Sequence, residues 1–113
     1  FQMERRRKEP DFTLASDGIH PGGLGHWIMA KQVLFYLDKQ APMLTAGDIT
    51  EAMATYRNGL QILKLVDQRQ QMMKDAWLSA SKHTRPGMNP GLPLDEAKAK
   101  GAAIETQIRK MLK

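Results

Sequence analysis

The sequence predicts a mainly α-helical chain, and two observations support this fold class. Apolar residues recur at helical spacing in three stretches, at residues 24–38, 60–79 and 94–111. Only one short run, residues 12–15, has the β-prone composition of a strand, and Pro and Gly separate the stretches. The 113 residues, with 42% hydrophobic and 26% charged side chains, suit one small domain better than two independent ones.

The N-terminal part is predicted to lead through a short strand into a turn. Residues 1–11 are polar and compatible with the frayed end of a helix, which Pro10 would close because it disfavours helix at the residue before it. The run Phe12-Thr13-Leu14-Ala15 is the predicted strand. Residues 16–23 are predicted to form a turn, since they contain Gly18, Pro21, Gly22 and Gly23.

A helix is predicted next, over residues 24–38. One stripe of this helix carries Trp27, Ala30, Val33, Leu34 and Leu37. Leu24, Ile28 and Phe35 lie off the stripe and are also large and apolar, which is the pattern of a helix covered on more than one side. Because no run of hydrophobic strands follows, we expect this helix to pack against a sheet that is encoded elsewhere.

The remaining chain is predicted to contain three helical stretches. After a break at residues 40–42, Asp48 and Glu51 resemble a capping box that starts a stretch through Arg57, and Asn58-Gly59 interrupts it. An amphipathic helix over residues 60–79, an irregular loop and a helix opened by Pro93 follow. Their apolar positions are Leu63, Val66, Met73, Ala76, Trp77 and Ala80, then Leu94, Ala97, Gly101, Ile104, Ile108 and Met111. We therefore expect an antiparallel αα-hairpin, with Trp77, Met72 and Met73 in the core or between helices.

Composition excludes some classes of site and partner. The chain contains no cysteine, so disulfides, thiolate zinc sites and a cysteine nucleophile are excluded. No apolar run approaches the roughly 20 residues of a membrane span, and no secretion signal is expected in the opening residues. The net charge of +5 and the run Arg5-Arg6-Arg7-Lys8 suggest nucleic acid, but Glu4, Glu9 and Asp11 flank that run and no aromatic residue interrupts it. We expect no nucleic-acid partner.

The candidate catalytic side chains lie within residues 16–26, where Asp17 and His20 are on the predicted turn before the apolar helix. An Asp three residues before a His on a tight turn can bring its carboxylate to the imidazole Nδ1 and leave Nε2 free for a third group. That arrangement is the one a general base requires. The alternative is an Asx-turn beside a surface histidine that caps the helix.

Other titratable residues allow less specific interpretations. His26 with Asp17 and His20 could form a metal site, but the spacing matches no established zinc pattern, so we expect a packing role at the helix N-terminus. His83 and Arg85 could reach a substrate carboxylate or phosphate, although an ordered loop with a surface salt bridge is favoured. No metal or cofactor is expected.

The string Asp17-Gly18-Ile19-His20-Pro21, followed by Gly25-His26 at the start of a helix, resembles the last motif block of the SGNH/GDSL hydrolases. The resemblance covers residues 12–38. It implies a three-layer α/β/α (flavodoxin-like) fold around a parallel sheet, whose strands lie mostly upstream, and an esterase or acylhydrolase activity. It also implies that Asp17 and His20 are the acid and base of a catalytic triad.

The resemblance leaves the nucleophile outside this sequence. Ser16, Ser79 and Ser81 are the only serines, and none lies in a Gly-Asp-Ser-like or Gly-x-Ser-x-Gly turn. Residues 1–40 are therefore predicted to be the C-terminal end of a hydrolase domain, and residues 41–113 a helical extension. The chain alone is expected to be inactive.

The resemblance also suggests partners and a location. The expected partners are the N-terminal part of the same hydrolase and a small-molecule or carbohydrate ester, acetylated carbohydrate first and lipid or other short-chain esters next. A bacterial periplasmic or secreted location is implied by the resemblance alone. The rival hypothesis is a non-enzymatic, basic helical module whose two long helices bind a protein partner.

Overall fold

The computed structural model describes residues 1–37, 45–84 and 86–113, and within these ranges the chain is helical without any strand. The helices are α1 (Gln2–Arg6), α2 (Gly23–Tyr36), α3 (Ile49–Ala54), α4 (Gly59–Ala80) and α5 (Leu94–Met111). The prediction of a mainly α chain is confirmed. None of the helices in the described ranges combines the length and apolar character that crossing a bilayer requires.

The predicted strand at residues 12–15 is wrong. A strand requires a neighbouring strand to pair with its backbone groups, and the described residues supply none. The backbone of Leu14 makes other hydrogen bonds: its N–H donates to Gln2 Oε1 at 3.0 Å, and its carbonyl accepts the Gly22 N–H at 2.8 Å. The run is therefore an irregular segment fastened to α1 and to the turn.

The chain divides into two compact units, Phe1–Thr55 and Tyr56–Lys113. The first unit has a small core of Trp27, Ala46 and Ala52. The Trp27 Nε1–H donates to the Ala46 carbonyl at 3.2 Å, so the indole is both buried and hydrogen-bonded. The predicted break at residues 40–42 lies outside the described residues. The expected assignment of residues 1–40 to a hydrolase domain concerns function and stays a prediction.

Helix α3 begins with the predicted capping interaction. Asp48 Oδ1 accepts the Glu51 N–H at 2.8 Å, and Glu51 Oε2 accepts the Gly47 N–H at 2.7 Å. The helix ends at Ala54, earlier than the predicted Arg57. Asn58 adopts a left-handed conformation (φ 60°), so the predicted interruption at Asn58-Gly59 is confirmed.

The second unit is the predicted αα-hairpin, in which α4 packs on α5. Ile62, Ala76, Ala97 and Ile108 are buried between the two helices. The connecting loop approaches α4 so closely that a Cβ at Gly91 would overlap the backbone of Asp75 and Ala76.

Of the two predicted places for Trp77, the core or the space between helices, the structure shows the second. The Trp77 side chain is 53% exposed, and Lys98 Nζ lies 5.5 Å from the ring centroid. The residue thus makes an interhelical cation–π contact at the surface of the hairpin. Val66, which was placed on the same apolar stripe, is also exposed.

Candidate functional site

The turn that carries Asp17 and His20 is closed by backbone hydrogen bonds. The Gly22 N–H donates to the Leu14 carbonyl, and inside this loop the Gly18 N–H donates to the Ala15 carbonyl at 3.1 Å. Gly18 has φ +78°, a conformation that side chains disfavour, so glycine suits this position. The result is a compact turn in front of α2.

Asp17 holds His20 through both backbone and side chain. Asp17 Oδ1 accepts the N–H groups of Ile19 (3.0 Å) and His20 (2.7 Å), which is an Asx-turn. Asp17 Oδ2 lies 2.7 Å from His20 Nδ1. The predicted contact between carboxylate and Nδ1 is therefore present. The Asx-turn and the acid–imidazole pair therefore coexist in one geometry.

These hydrogen bonds lower the pKa of the Asp17 carboxyl from its ordinary value of 3.8 to about 2. The largest cause is the His20 backbone N–H, followed by the His20 side chain and the Ile19 N–H. Asp17 is consequently ionised at neutral pH and can only accept hydrogen bonds. His20 Nδ1 therefore donates to this carboxylate, and in the neutral imidazole the lone pair is on Nε2.

The pair is open to solvent. The His20 side chain is 81% exposed and that of Asp17 is 52% exposed. No group in the ranges 1–37, 45–84 and 86–113 hydrogen-bonds to His20 Nε2. Chemically, the arrangement can accept a proton at Nε2 and stabilise the resulting imidazolium, provided that another group brings a hydroxyl to that nitrogen.

The serine hydroxyls of the chain are engaged or lie beside the acid. Ser79 Oγ accepts the Gly91 N–H at 2.8 Å, and Ser81 Oγ donates to the Leu78 carbonyl at 3.0 Å. Ser16 precedes Asp17 in the turn. None of the hydrogen bonds among the described residues joins a serine hydroxyl to His20.

His26 is tied to the start of α2. Its backbone N–H and its Nδ1 lie 3.0 Å and 3.1 Å from the Gly22 carbonyl oxygen. Within the described part of the chain, no three His, Asp or Glu residues are grouped as metal ligands. The His83 N–H donates to the Leu78 carbonyl at the end of α4, whereas Arg85 lies outside the described residues.

The basic run near the N-terminus is engaged in local contacts. Arg5 pairs with Glu9 at 3.2 Å and lies over the Phe12 ring, at 4.6 Å from its centroid. Arg6 Nε donates to the Phe12 carbonyl at 2.7 Å. These arginines therefore fasten α1 to the segment that leads into the turn.

Next to the turn, α2 presents a large apolar surface. Val33 and Phe35 are 59% and 58% exposed. A groove of about 700 Å³ lies along the helix and is lined by Gly23, His26, Trp27, Ala30, Val33, Leu34 and Ile49. The sequence indicated a helix covered on several sides, and within the described residues much of that cover is absent.

Two residues that shape the turn, Leu14 and Gly25, have no role in the site that was predicted from the sequence. Leu14 holds the turn through its backbone N–H and carbonyl groups, and the type of its side chain does not indicate such a role. Gly25 is buried inside α2, and a Cβ there would lie 2.7 Å from Pro21 Cβ. A glycine within a helix is unfavourable by propensity, so its presence was a signal that could have indicated a close approach.

Comparison of the chain with protein-family models, with curated proteins and with solved structures finds no match. A functional assignment therefore depends on the geometry of the turn and on the residues around it.

Proposed function

We propose that this chain supplies the acid and the base of a serine ester hydrolase of the SGNH/GDSL type. The single observation that carries the proposal is the 2.7 Å contact between Asp17 Oδ2 and His20 Nδ1, with no hydrogen bond to Nε2 from the part of the chain that the structure describes. The residue order Asp17-Gly18-Ile19-His20-Pro21 before a helix, which resembles the family's last motif block, supports it.

In the proposed mechanism, His20 Nε2 takes the proton of a serine hydroxyl as the serine oxygen attacks the ester carbonyl. The imidazolium then gives this proton to the departing alcohol, and an acyl-enzyme remains. Water repeats the cycle: His20 takes its proton, and the acid and free serine are released. Asp17 stays ionised throughout, keeps the proton on Nδ1 and stabilises the imidazolium. The mechanism uses no metal or cofactor.

The serine and the oxyanion-hole donors belong, in this proposal, to a part of the hydrolase outside these 113 residues. The apolar surface of α2 supports this, because exposed residues such as Val33 and Phe35 suit a helix that packs on a sheet. That sheet would complete the three-layer α/β/α fold. Carboxylic esters are the proposed substrates, with acetylated carbohydrate first.

The test is hydrolysis of p-nitrophenyl acetate by the complete polypeptide that contains this sequence. We expect His20→Ala and Asp17→Asn each to lower kcat by about 10²–10⁴-fold, because each removes part of the proton relay. His26→Ala and Asp11→Asn are matched controls outside the relay and should retain the rate. Unchanged hydrolysis after replacement of both Asp17 and His20 would contradict the proposal.

A second measurement addresses the nucleophile. The 113-residue chain by itself should show no turnover of the same ester, since none of its serines is placed against His20 among the described residues. Turnover by this chain that disappears in His20→Ala would show that the nucleophile lies within the 113 residues after all.

A non-enzymatic helical module that binds a protein partner is the second candidate. The exposed Leu60, Val66 and Trp77 of α4 favour it, because they leave apolar surface on the hairpin. The two candidates differ in what the reading frame encodes upstream of Phe1. A Gly-Asp-Ser-like turn directly after a hydrophobic strand would favour the hydrolase, and its absence would favour the module.

A further inference from the structure

Gly25 lies where α2 meets the turn that carries the acid–imidazole pair. It is buried in the first turns of the helix. A Cβ built on it would lie 2.7 Å from Pro21 Cβ and 3.3 Å from the Leu14 carbonyl oxygen. Both neighbours are rigid, one a proline ring carbon and the other backbone, so they would have to move apart by several tenths of an ångström. Gly23, in the same helix, has open space at its Cβ position.

The Leu14 carbonyl is the point where both ends of the loop meet. It accepts the Gly22 N–H at 2.8 Å, and the Leu14 N–H is held by Gln2 Oε1 at 3.0 Å. Residues 15–21, including Asp17 and His20, lie between these fastened ends. We call the contact of Leu14, Pro21, Gly22 and Gly25 the neck of the loop.

Because the Asp17 and His20 side chains are exposed, their orientation relative to α2 depends on the neck. With 81% of the His20 side chain and 52% of the Asp17 side chain open to solvent, few packing contacts hold the ring in place. The Asp17 hydrogen bonds orient the ring within the turn. The direction of the turn relative to α2 depends on the neck.

We propose that Gly25 is a positioning residue: its lack of a side chain lets α2 close onto Leu14 and Pro21, and this packing directs His20 Nε2. The catalytic consequence rests on the proposed hydrolase function, whereas the packing does not. Gly25 acts through the loop and contacts no reacting atom.

The first test uses the 113-residue chain and needs no activity. In Gly25→Ala, we expect the Gly22 N–H to exchange with solvent at least about tenfold faster than in the unchanged chain, because the neck hydrogen bond opens. Residual dipolar couplings should also show residues 17–20 rotated relative to α2. Gly23→Ala, the matched control, should change neither measurement. Unchanged exchange and couplings in Gly25→Ala would overturn the proposal.

The second test uses the complete hydrolase. We expect Gly25→Ala to lower kcat by about 10–100-fold with KM within about threefold, as a displaced base would. A merely destabilising change would also lower the apparent kcat at constant KM, so the rate is divided by the folded fraction that circular dichroism measures, and the loss of kcat should remain after this correction. Adding Pro21→Gly removes the nearest clashing atom and should restore part of kcat. A full kcat in Gly25→Ala, or no recovery in the double variant, would count against the proposal.

Should Gly25→Ala not fold, the neck hydrogen bond can be removed in another way. Gly22 has φ −73°, close to the value that proline imposes, so Gly22→Pro keeps φ but replaces the N–H donor by a ring carbon that pushes against the Leu14 carbonyl oxygen. Gly22→Ala keeps the N–H and places its Cβ in ordinary contact, 3.8 Å from Leu14 O. Only Gly22→Pro should rotate residues 17–20 relative to α2 and lower kcat.

The two proposals can fail separately. If the complete unchanged protein shows no hydrolysis that depends on His20, the hydrolase proposal fails. The residual dipolar couplings of the Gly25→Ala and Gly22→Pro variants still decide whether the neck orients residues 17–20.

Discussion

Helices α2 and α4 are both longer than three turns and both carry apolar residues, yet their surroundings differ. In the Tyr56–Lys113 unit, α4 faces α5, and Ile62 and Ile108 are each only 8% exposed. In the Phe1–Thr55 unit, α2 buries Trp27 but leaves Val33 and Phe35 more than half exposed. The hairpin thus contains the partner for its main apolar stripe, whereas the described residues cover α2 only in part.

This difference follows from the number of apolar faces on each helix. A helix with one apolar stripe is satisfied by one neighbouring helix, but a helix that is apolar on several faces requires a packed layer. The acid–imidazole pair precedes α2, the less covered helix. The Asp17–His20 pair therefore lies beside the apolar surface of α2, which the described residues leave partly exposed.

The largest expected effect breaks the hairpin. Gly91→Ala would place a Cβ into the backbone of Asp75 and Ala76, so we expect the free energy of unfolding of this unit to fall by about 3 kcal/mol. Urea unfolding followed by circular dichroism measures it. Ser79→Ala removes only the acceptor of the Gly91 N–H and should cost about 1 kcal/mol. Equal effects of the two variants would show that the close approach is not required.

The next prediction compares the two units directly. Ile108→Ala empties a buried position near the end of α5 and should cost about 2 kcal/mol, at the low end for a buried isoleucine. Val33→Ala, at an exposed position of α2, should cost less than about 0.5 kcal/mol in the same chain. Chemical denaturation of both variants provides the comparison. A large cost for Val33→Ala in this chain would mean that α2 is covered after all.

A smaller effect concerns the start of α3. Asp48→Ala removes the acceptor of the Glu51 N–H and should cost about 1 kcal/mol of the stability of the first unit. Amide exchange at Glu51 would report it locally. Asp67→Ala, on the exposed face of α4, is the control and should leave this exchange unchanged.

The smallest expected effect is the titration of Asp17. Because its pKa is lowered to about 2, its hydrogen bonds contribute stability that is present above its ordinary value of 3.8 and is lost as the pH falls through about 2. Carboxyl ¹³C NMR should give a midpoint near 2. In His20→Ala the midpoint should rise but stay below 3.8, since the backbone N–H groups still donate. A midpoint already at 3.8 in the unchanged chain would exclude the pairing.

The sequence by itself was sufficient for features that depend on near neighbours. The helical stretches, the capping of α3, the interruption at Asn58 and the contact between Asp17 and His20 all involve residues within about one helical turn of each other. Spacing along the chain determines whether such groups can meet. The hairpin followed as well, because the connection of residues 81–93 is rich in Pro and Gly and the helices on either side of it carry complementary apolar stripes.

The tertiary structure alone decided what depends on residues far apart in sequence. The backbone of Leu14 is hydrogen-bonded to Gln2 and Gly22 instead of to a strand, and Trp77 contacts Lys98 between the helices, the second of its two predicted places. Residue type does not show which backbone groups will hydrogen-bond to each other or which apolar side chains will be buried. These outcomes depend on how separate segments pack, and for that reason the neck that holds the candidate site became visible only in three dimensions.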